Sequence, residues 1–189
     1  MKKLLLINGQ DYFERAQGRL NEAMSKHIGD FTAQEFEIKH TSISEGYKIH
    51  EEIEKFKWAD VIIIQTPIYW FSLPGVLKKY IDDVFIPDIF FGKSKGFGQG
   101  GKFNGKKYML SVTWGASESA FNGTEGDFLE GLSEDQVLFP VHKTFEYCGL
   151  NRLPTFSIYS SMKLHELDPY ITKIQHHLQK HLIQSGESI

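Results

Sequence analysis

Short apolar runs alternate with amphipathic segments along most of the chain. Residues 3–7, 61–64 and 108–112 are apolar on both sides, which predicts strands in the middle of a sheet covered on both faces. Residues 36–40 alternate between apolar and polar positions and suit a flanking strand, and residues 155–159 form a fifth candidate. The pattern therefore predicts five strands.

The segments between these runs have helical spacing. Apolar residues recur at intervals of three and four, so that each segment has one apolar face. These faces contain Leu20, Ala23, Met24, His27 and Ile28; Ile49, Ile53 and Phe56; Val76, Leu77, Tyr80, Ile81 and Val84; Val141, Phe145 and Cys148; and Ile171, Ile174, Leu178 and Leu182. Gly149 directly follows the fourth face, where glycine commonly ends a helix.

A strand followed by an amphipathic helix, repeated five times, predicts an α/β fold. Such a fold has three layers, with a parallel sheet between two layers of helices. Five strands in 189 residues favour the strand order 2-1-3-4-5 over the six-stranded order of dinucleotide-binding folds. We expect residues 1–189 to form one domain.

Composition argues against several classes of protein. The formal net charge is −3 and no basic block occurs, so nothing supports binding of nucleic acid. The apolar start ends at Asn8, too early for an export signal, and no run approaches the length of a membrane span. Cys148 is the single cysteine, which excludes an intramolecular disulfide and a multi-cysteine zinc site. We expect a cytoplasmic protein without a metal or membrane insertion, in which Cys148 is a packed thiol.

In a sheet of this order, ligands bind at the carboxyl ends of the strands, beside the loops that follow strands one, three and four. The first of these loops, residues 9–17, leads into a helix that starts at residues 18–21. Free backbone N–H groups at a helix start favour an anion such as phosphate, and Arg19 would add a charged hydrogen bond. A loop that merely begins a helix explains the same residues, so this motif is weak by itself.

The loop after the third strand carries three aromatic residues in succession. Tyr69, Trp70 and Phe71 follow Pro67 and Ile68 directly after a buried strand. Three large rings in a row cannot all enter a core from a loop, so at least one should face a crevice and cover a flat ligand. The alternative is an aromatic lid that packs on neighbouring helices or on another subunit.

Two further segments suit a ligand site. Thr113, Trp114, Gly115 and Ala116 follow the fourth strand, and the small residues among them would let a flat ring approach the backbone. Taken alone, this could be any turn. Residues 86–105 are rich in glycine, phenylalanine and lysine and are too long for a simple connection, which favours a functional loop.

Together these motifs resemble the flavodoxin-like NAD(P)H:quinone reductases, and within that family the bacterial proteins called modulator of drug activity B. The resemblance covers nearly the whole chain. It implies a flavodoxin-like three-layer sandwich with a five-stranded parallel sheet. The matching segments are residues 7–9, 18–21, 58–61, 78–85, 105–111, 113–114, 140–143 and 153–156.

The resemblance also implies a cofactor, substrates and site residues. FAD, rather than FMN, would be bound in a homodimer and would carry hydride from NAD(P)H to a quinone by a ping-pong mechanism. The pyrophosphate would lie against Ala16, Gln17, Gly18, Arg19, Leu20, Asn21, Glu22 and Ala23. The isoalloxazine would lie against Pro67, Ile68, Tyr69, Trp70 and Phe71, the turn Thr113, Trp114, Gly115 and Ala116, and Phe97. Close relatives carry tyrosine at the position of Phe97. Compared with tyrosine, Phe97 keeps the stacking face and lacks the hydroxyl.

No catalytic side chain is carried over from the family. Eukaryotic relatives have a tyrosine–histidine pair after the fourth strand, whereas this chain has Phe121 and no histidine in residues 114–137. His142 on the following helix is predicted to be a structural or surface histidine rather than a catalytic one. His177 and His181 have the spacing of a metal pair but lack a carboxylate motif, and they are predicted to form a solvated helix face.

Three other functions stay open at this point. An FMN-dependent azo- or nitroreductase would have the same fold. A flavodoxin-type electron carrier would bind flavin without a pocket for nicotinamide or quinone, although carriers tend to be strongly acidic and the net charge here is −3. A ligand-sensing module could keep the fold without turnover.

Overall fold

The structure is a computed structural model, and it describes residues 1–14, 17–163 and 166–184. In these residues six strands form one sheet in which every neighbouring pair is parallel. The order is β2-β1-β3-β4, with two short strands beside β4, which confirms the predicted strand order. The strands are β1 (Lys2–Asn8), β2 (Phe36–Ser42), β3 (Val61–Pro67), β4 (Lys107–Thr113), β5 (Asn151–Arg152) and β6 (Phe156–Ile158).

Each predicted apolar helix face is present as a helix in the structure. The chain continues from α6 into a π-helical turn, Gln179–Ile183. Gly149 has φ 88° just after the fourth of the predicted helices, where a left-handed residue ends the helix as predicted. The helices are α1 (Arg19–Thr32), α2 (Ile49–Trp58), α3 (Gly75–Val84), α4 (Glu134–Val137), α5 (Phe139–Tyr147) and α6 (Asp168–Leu178).

Alternate residues of the central strands face the two helical layers. Leu5 and Ile62 pack in one cluster with residues of α2, α3 and α5, whereas Leu4 and Ile63 pack in a second cluster with residues of α1 and α6. Successive side chains of a strand point to opposite faces, so an all-apolar strand has to be covered on both sides. This arrangement confirms the predicted three-layer sandwich.

The fifth position of the sheet differs from the prediction, because two short strands share it. β5 pairs with the start of β4 and β6 with its end. Pro154 lies between them and has no N–H to donate to the sheet, so the ladder is interrupted there. The carbonyl of Pro154 accepts a hydrogen bond at 3.0 Å from Nε2 of His177 instead. The predicted strand 155–159 was therefore too long, and β5 was missed.

The same contact corrects the prediction for the two C-terminal histidines. His177 is half-buried, because its ring packs on Phe156 at 5.5 Å as well as reaching Pro154. The rings of His177 and His181 lie 4.6 Å apart. This helix face therefore covers the end of the sheet and is only partly solvated.

The long segment of residues 86–105 is anchored in the core at both ends. Phe90 and Phe103 are buried, and their rings stack at 4.5 Å. Gly100 has to be glycine, because a Cβ there would lie 2.0 Å from the carbonyl oxygen of Gly92. Between these anchors Phe97 stands 97% exposed, so the segment is a fixed support for one projecting ring.

Two further features can be compared with the sequence analysis: the packing of Cys148 and the length and apolar character of the helices. Cys148 is buried on the α5 side of the sheet, and burial raises the pKa of its thiol to about 12. The thiol is therefore packed, as predicted. Among the residues described, no helix combines the length and the apolar character that crossing a membrane would require.

His142 connects α5 to the sheet. Its ring is buried, with Nδ1 2.8 Å from the hydroxyl of Tyr108 and Nε2 3.1 Å from Oδ1 of Asp135. The hydrogen bond to His142 is the largest cause that lowers the pKa of the Asp135 carboxyl below its ordinary value. His142 is therefore held in a structural role between β4 and α4.

The lowered pKa of Asp135 predicts a stability change in acid. A carboxyl whose pKa is lower in the folded state stabilises the fold above its ordinary pKa of about 4, and that contribution is lost as the pH falls below it. Asp135→Asn should therefore have a lower free energy of unfolding than wild type at pH 6. Between pH 6 and pH 3, the free energy of unfolding of the variant should fall less than that of wild type. Urea unfolding followed by circular dichroism measures this. Glu37→Gln, at an exposed carboxylate on β2, is the control, and equal acid slopes for wild type and Asp135→Asn would contradict the prediction.

Candidate functional site

The loops after β1, β3 and β4 meet at one rim of the sheet, as predicted. The N–H of Gly9 donates to the carbonyl of Gln65 at 2.9 Å, and the hydroxyl of Thr66 reaches the carbonyl of Gly9 at 3.3 Å. On the other side, the N–H of Ile68 donates to the carbonyl of Thr113 at 2.9 Å. These bonds continue the strand ladder past the sheet, so the three loops have fixed relative positions.

A cleft of about 260 Å³ lies where α1 starts. Gly18 precedes the helix with φ 70°, and no side chain caps the helix start. The first helical hydrogen bond runs from the N–H of Glu22 to the carbonyl of Gly18, so the three preceding N–H groups belong to the uncapped turn. The lining residues are Gly18, Arg19, Leu20, Asn21, Pro67, Ile68, Tyr69, Thr113, Gly115, Ser161 and Met162.

Gly18 shapes this helix start for an anion. A Cβ at Gly18 would lie 2.3 Å from Oε1 of Gln10, and the positive φ also disfavours any larger residue. An uncapped helix N-terminus exposes N–H groups and the positive end of the helix dipole. Arg19 adds an exposed cationic side chain at the mouth of the cleft. The cleft therefore fits a phosphate or diphosphate.

The aromatic loop is a two-residue turn in a strained conformation. The backbone groups of Tyr69 and Ser72 exchange hydrogen bonds at 2.9 and 3.0 Å, and between them Trp70 and Phe71 have φ of 50° and 63°. Two consecutive left-handed residues define a type of turn that normally contains asparagine and glycine, and bulky residues there cost about 1–2 kcal/mol each. Strain of this kind at the sheet rim points to a role for the two rings other than stability.

A larger groove of about 960 Å³ extends from this turn. Trp70 is 93% exposed, and the ring of Phe13 covers Tyr69 at 5.8 Å. Partial burial, followed by the nearby negative charge of Asp11, raises the pKa of the Tyr69 hydroxyl above its ordinary value. The groove is lined by Phe13, Glu14, Ile68, Tyr69, Trp70, Ser72, Leu73 and Gly75.

The groove and the cleft share the side chains of Ile68 and Tyr69. One elongated ligand could therefore place a planar group against the aromatic turn and an anionic group at the start of α1. Exposed aromatic surface of this extent marks a binding site in most proteins.

The turn after β4 contributes less than its four residues suggested. Thr113 and Gly115 line the cleft, but the indole of Trp114 is buried, packs on Phe121 at 4.8 Å and donates to Oγ of Ser157 at 3.1 Å. Ala116 packs behind the turn against the core. The side chains of Trp114 and Ala116 hold the turn in place, and a ligand would meet backbone and small side chains there.

Five other residues proposed for the site and described in the structure line neither cavity: Gln17, Glu22, Ala23, Phe71 and Phe97. Gln17 and Glu22 are exposed, and Ala23 lies half-buried on α1. Ala16 falls outside the described residues. Phe97 lies in a separate apolar groove beside Tyr147, 5.6 Å away, together with Phe85 of the α3 end and Pro140 of α5. Phe71 is 47% exposed, and the centre of its ring lies 5.8 Å from that of Phe128.

Several residues at the site were missed by the sequence analysis. Ser161 and Met162 come from the loop after β6, which ends at the same rim because all strands are parallel. That topology could have indicated them. Phe13 and Phe128 lie in irregular loops without a pattern, and only the path of the folded chain brings them to the aromatic turn.

The sequence matches, over residues 2–182, a protein family described by its flavodoxin-like fold. The chain belongs to this family. It is 38% identical to NADPH:quinone oxidoreductase MdaB of Haemophilus influenzae, over 94% of this chain and 97% of that protein. The human ribosyldihydronicotinamide dehydrogenase [quinone] is 35% identical over 108 residues, which are 56% of this chain and 44% of that protein. The resemblance to the flavodoxin-like quinone reductases is thereby confirmed.

Solved structures of lower sequence identity show the same fold. General stress protein 14 of Treponema denticola, in complex with FMN, superimposes with a TM-score of 0.67 at 21% identity, over 95% of each chain. An NADPH-quinone reductase of P. pentosaceus has a TM-score of 0.66 at 18% identity, over 94% of this chain and 97% of that one. At these identities the likeness concerns the fold alone.

The strained turn predicts opposite effects on stability and on binding. Replacing Trp70 and Phe71 together by asparagine and glycine suits the left-handed turn, so the ligand-free protein should gain about 1 kcal/mol of unfolding free energy. Flavin affinity should fall at least about tenfold, because the rings are lost. Chemical denaturation and fluorescence titration with FAD measure the two effects. Trp70→Phe, which keeps a ring, is the control. A destabilised double variant with unchanged affinity would show that the turn serves only the fold.

Proposed function

We propose that this protein is an FAD-dependent NAD(P)H:quinone oxidoreductase. One observation carries the proposal: an uncapped helix start and a strained, exposed aromatic turn open into neighbouring cavities that share Ile68 and Tyr69 at the switch point of the sheet. The first is suited to a diphosphate and the second to a planar ring. The quinone oxidoreductase from Haemophilus influenzae, which aligns with almost the whole chain, supports the same reaction.

The extent of the cleft favours FAD over FMN. Beyond the start of α1, which includes Arg19, the cleft continues to Ser161 and Met162 of the loop after β6. A mononucleotide would end at the helix start, whereas a second phosphate and a nucleoside would occupy this continuation. Arg19 is placed to bond a phosphate oxygen, and Met162 offers an apolar face to a base.

The groove beside Trp70 is the proposed position for both substrates in turn. The flavin supplies hydride chemistry when it is bound in the crevice. Trp70 and Phe13 would hold a planar nicotinamide or quinone and exclude water from the groove. Because one groove serves both, the oxidised nicotinamide has to leave before the quinone enters, which gives ping-pong kinetics. The hydroxyl of Tyr69, a residue that lines both the groove and the cleft, would donate a hydrogen bond to a quinone oxygen.

We also propose that the protein acts as a homodimer and that Phe97 completes the partner's site. Phe97 is 97% exposed on a loop whose two ends are anchored in the core, and it does not line the crevice of its own chain. An exposed aromatic ring beside an apolar groove on α3 and α5 is typical of a protein interface. A second copy would bury this ring.

The flavin is tested with the purified protein. We expect absorption bands near ~370 and ~450 nm, loss of the latter on mixing with NADPH, and its return on adding menadione. Chromatography of the flavin released by heat should give FAD. Release of FMN instead would favour the azoreductase alternative, and a flavin that NADPH does not reduce would favour an electron carrier. A protein that takes up neither flavin would contradict the proposal altogether.

The dimer is tested by sedimentation. Phe97→Asp places a charge in the proposed interface, so it should shift the protein from dimer to monomer and raise the KM for menadione several-fold. Lys95→Glu changes an exposed residue of the same loop and should leave both unchanged. A wild type that sediments as a monomer would remove this proposal and leave the redox function untouched.

A further inference from the structure

Four buried polar side chains form a chain of hydrogen bonds beneath the crevice. Ser111 and Thr113 lie on β4, Gln65 on β3 and Asn21 in the first turns of α1, and each is at most 5% exposed. Oγ of Ser111 lies 2.7 Å from Oε1 of Gln65, and Nε2 of Gln65 lies 2.7 Å from Oδ1 of Asn21. Nδ2 of Asn21 lies 3.2 Å from Oγ1 of Thr113. The chain thus joins two strands to the helix.

This position in the fold is otherwise apolar. Val61 and Ile63 of β3 and Met109 of β4, which precede Gln65 and Ser111 on the same face, pack in the cluster beneath α1. Burying polar side chains in such a place is unfavourable unless they are hydrogen-bonded, and apolar residues would fill the space at no such cost. Packing therefore does not explain why these residues are polar.

The hydrogen bonds run in one direction. The hydroxyl of Ser111 donates to Gln65, the amide of Gln65 donates to Asn21, and the amide of Asn21 donates to Thr113. In the reverse direction Ser111 would accept from Gln65, and within the described residues no other side-chain partner would take its buried proton. The observed direction satisfies Ser111 at the closed end of the chain.

At the end of the chain nearest the crevice, this direction of the hydrogen bonds leaves the hydroxyl of Thr113 as a donor. Oγ1 of Thr113 already accepts a hydrogen from Asn21, and its own contact back to Oδ1 of Asn21 is long, at 3.5 Å. Thr113 and Asn21 both line the cleft. The hydroxyl proton of Thr113 is therefore free to bond an acceptor that occupies the crevice, such as a ring nitrogen or a carbonyl oxygen.

We propose that Gln65 and Ser111 are positioning residues that orient Thr113 as a hydrogen-bond donor to the bound flavin ring. Through Asn21 they also fix the distance between that donor and the phosphate-binding start of α1. The inference rests on the proposed function, since it assigns these residues to the same flavin site. It adds that the ring side and the phosphate side of the site are one rigid unit.

A double-mutant cycle on FAD binding tests the coupling. Gln65→Met removes the donor and the acceptor at similar volume, and Thr113→Val removes the hydroxyl. Each single variant should weaken FAD binding by the flavin-free protein about tenfold, as expected for the loss of an oriented hydrogen bond. Because both act through the same bond, the double variant should bind within about twofold of Thr113→Val. The visible spectrum of bound FAD should shift equally in all three.

Two further variants keep the test decisive. Ser111→Ala is a milder change than Gln65→Met and can replace it in the test if Gln65→Met does not fold. It should also weaken FAD binding. Thr32→Val removes a buried hydroxyl that bonds only to its own helix, α1, so it should lower the melting temperature without changing FAD affinity.

The outcomes separate the inference from the function on which it rests. The wild-type protein could bind FAD while the losses of affinity in Gln65→Met and Thr113→Val multiply in the double variant. This result would overturn the inference and leave the proposed function intact. The same holds if Gln65→Met behaves like Thr32→Val. Wild-type protein that binds no FAD would overturn the proposed function, and the inference with it.

Discussion

Coverage of the sheet on both faces is the constraint on which the rest of the structure depends. β3 is buried from end to end, and β1 and β4 are buried apart from their first residues, so the faces of these strands can carry no exposed polar chemistry. Every group able to meet a ligand is consequently displaced to the loops at the strand ends. Because the strands are parallel, their carboxyl ends share one rim, and the chemistry of distant sequence segments converges there.

Rigid support from this sheet is what allows an unfavourable local conformation. The two backbone hydrogen bonds between Tyr69 and Ser72 hold Trp70 and Phe71 in the left-handed conformation. A further backbone hydrogen bond, from Ile68 to Thr113, ties the start of this loop to β4. An isolated peptide of this sequence would avoid such a turn. The fold thus keeps two large rings in the solvent at a cost in stability, which is a common feature of binding sites.

The hydrophobic pattern was sufficient to locate most of the architecture. The ends of β1 and β4 lie within one residue of those predicted, whereas β3 extends three residues further than its apolar run. The reason is that Gln65 and Thr66 are polar yet fully buried, since side-chain hydrogen bonds satisfy them. A pattern of apolar residues cannot register a buried polar side chain, because the partner that satisfies it is distant in the sequence.

The site was predictable in its loops and unpredictable in its orientation of side chains. Parallel topology indicated the loops after the first, third and fourth strands, and those loops line the crevice. The sequence could not show that the side chain of Trp70 points outward and that of Trp114 points inward, since both are tryptophans at strand ends. Their directions follow from neighbours: Ser157 bonds one indole in the core, and the left-handed turn projects the other.

The two edges of the sheet determine how copies of this chain can meet. An unprotected edge strand offers a template on which another chain can add its own backbone. Here Pro154 breaks one edge into two short pieces, and exposed Glu37 and Lys39 place charges along the other, β2. Continuation of the sheet from molecule to molecule is disfavoured at either end. The chain is thereby protected against fibrillar stacking of its own copies.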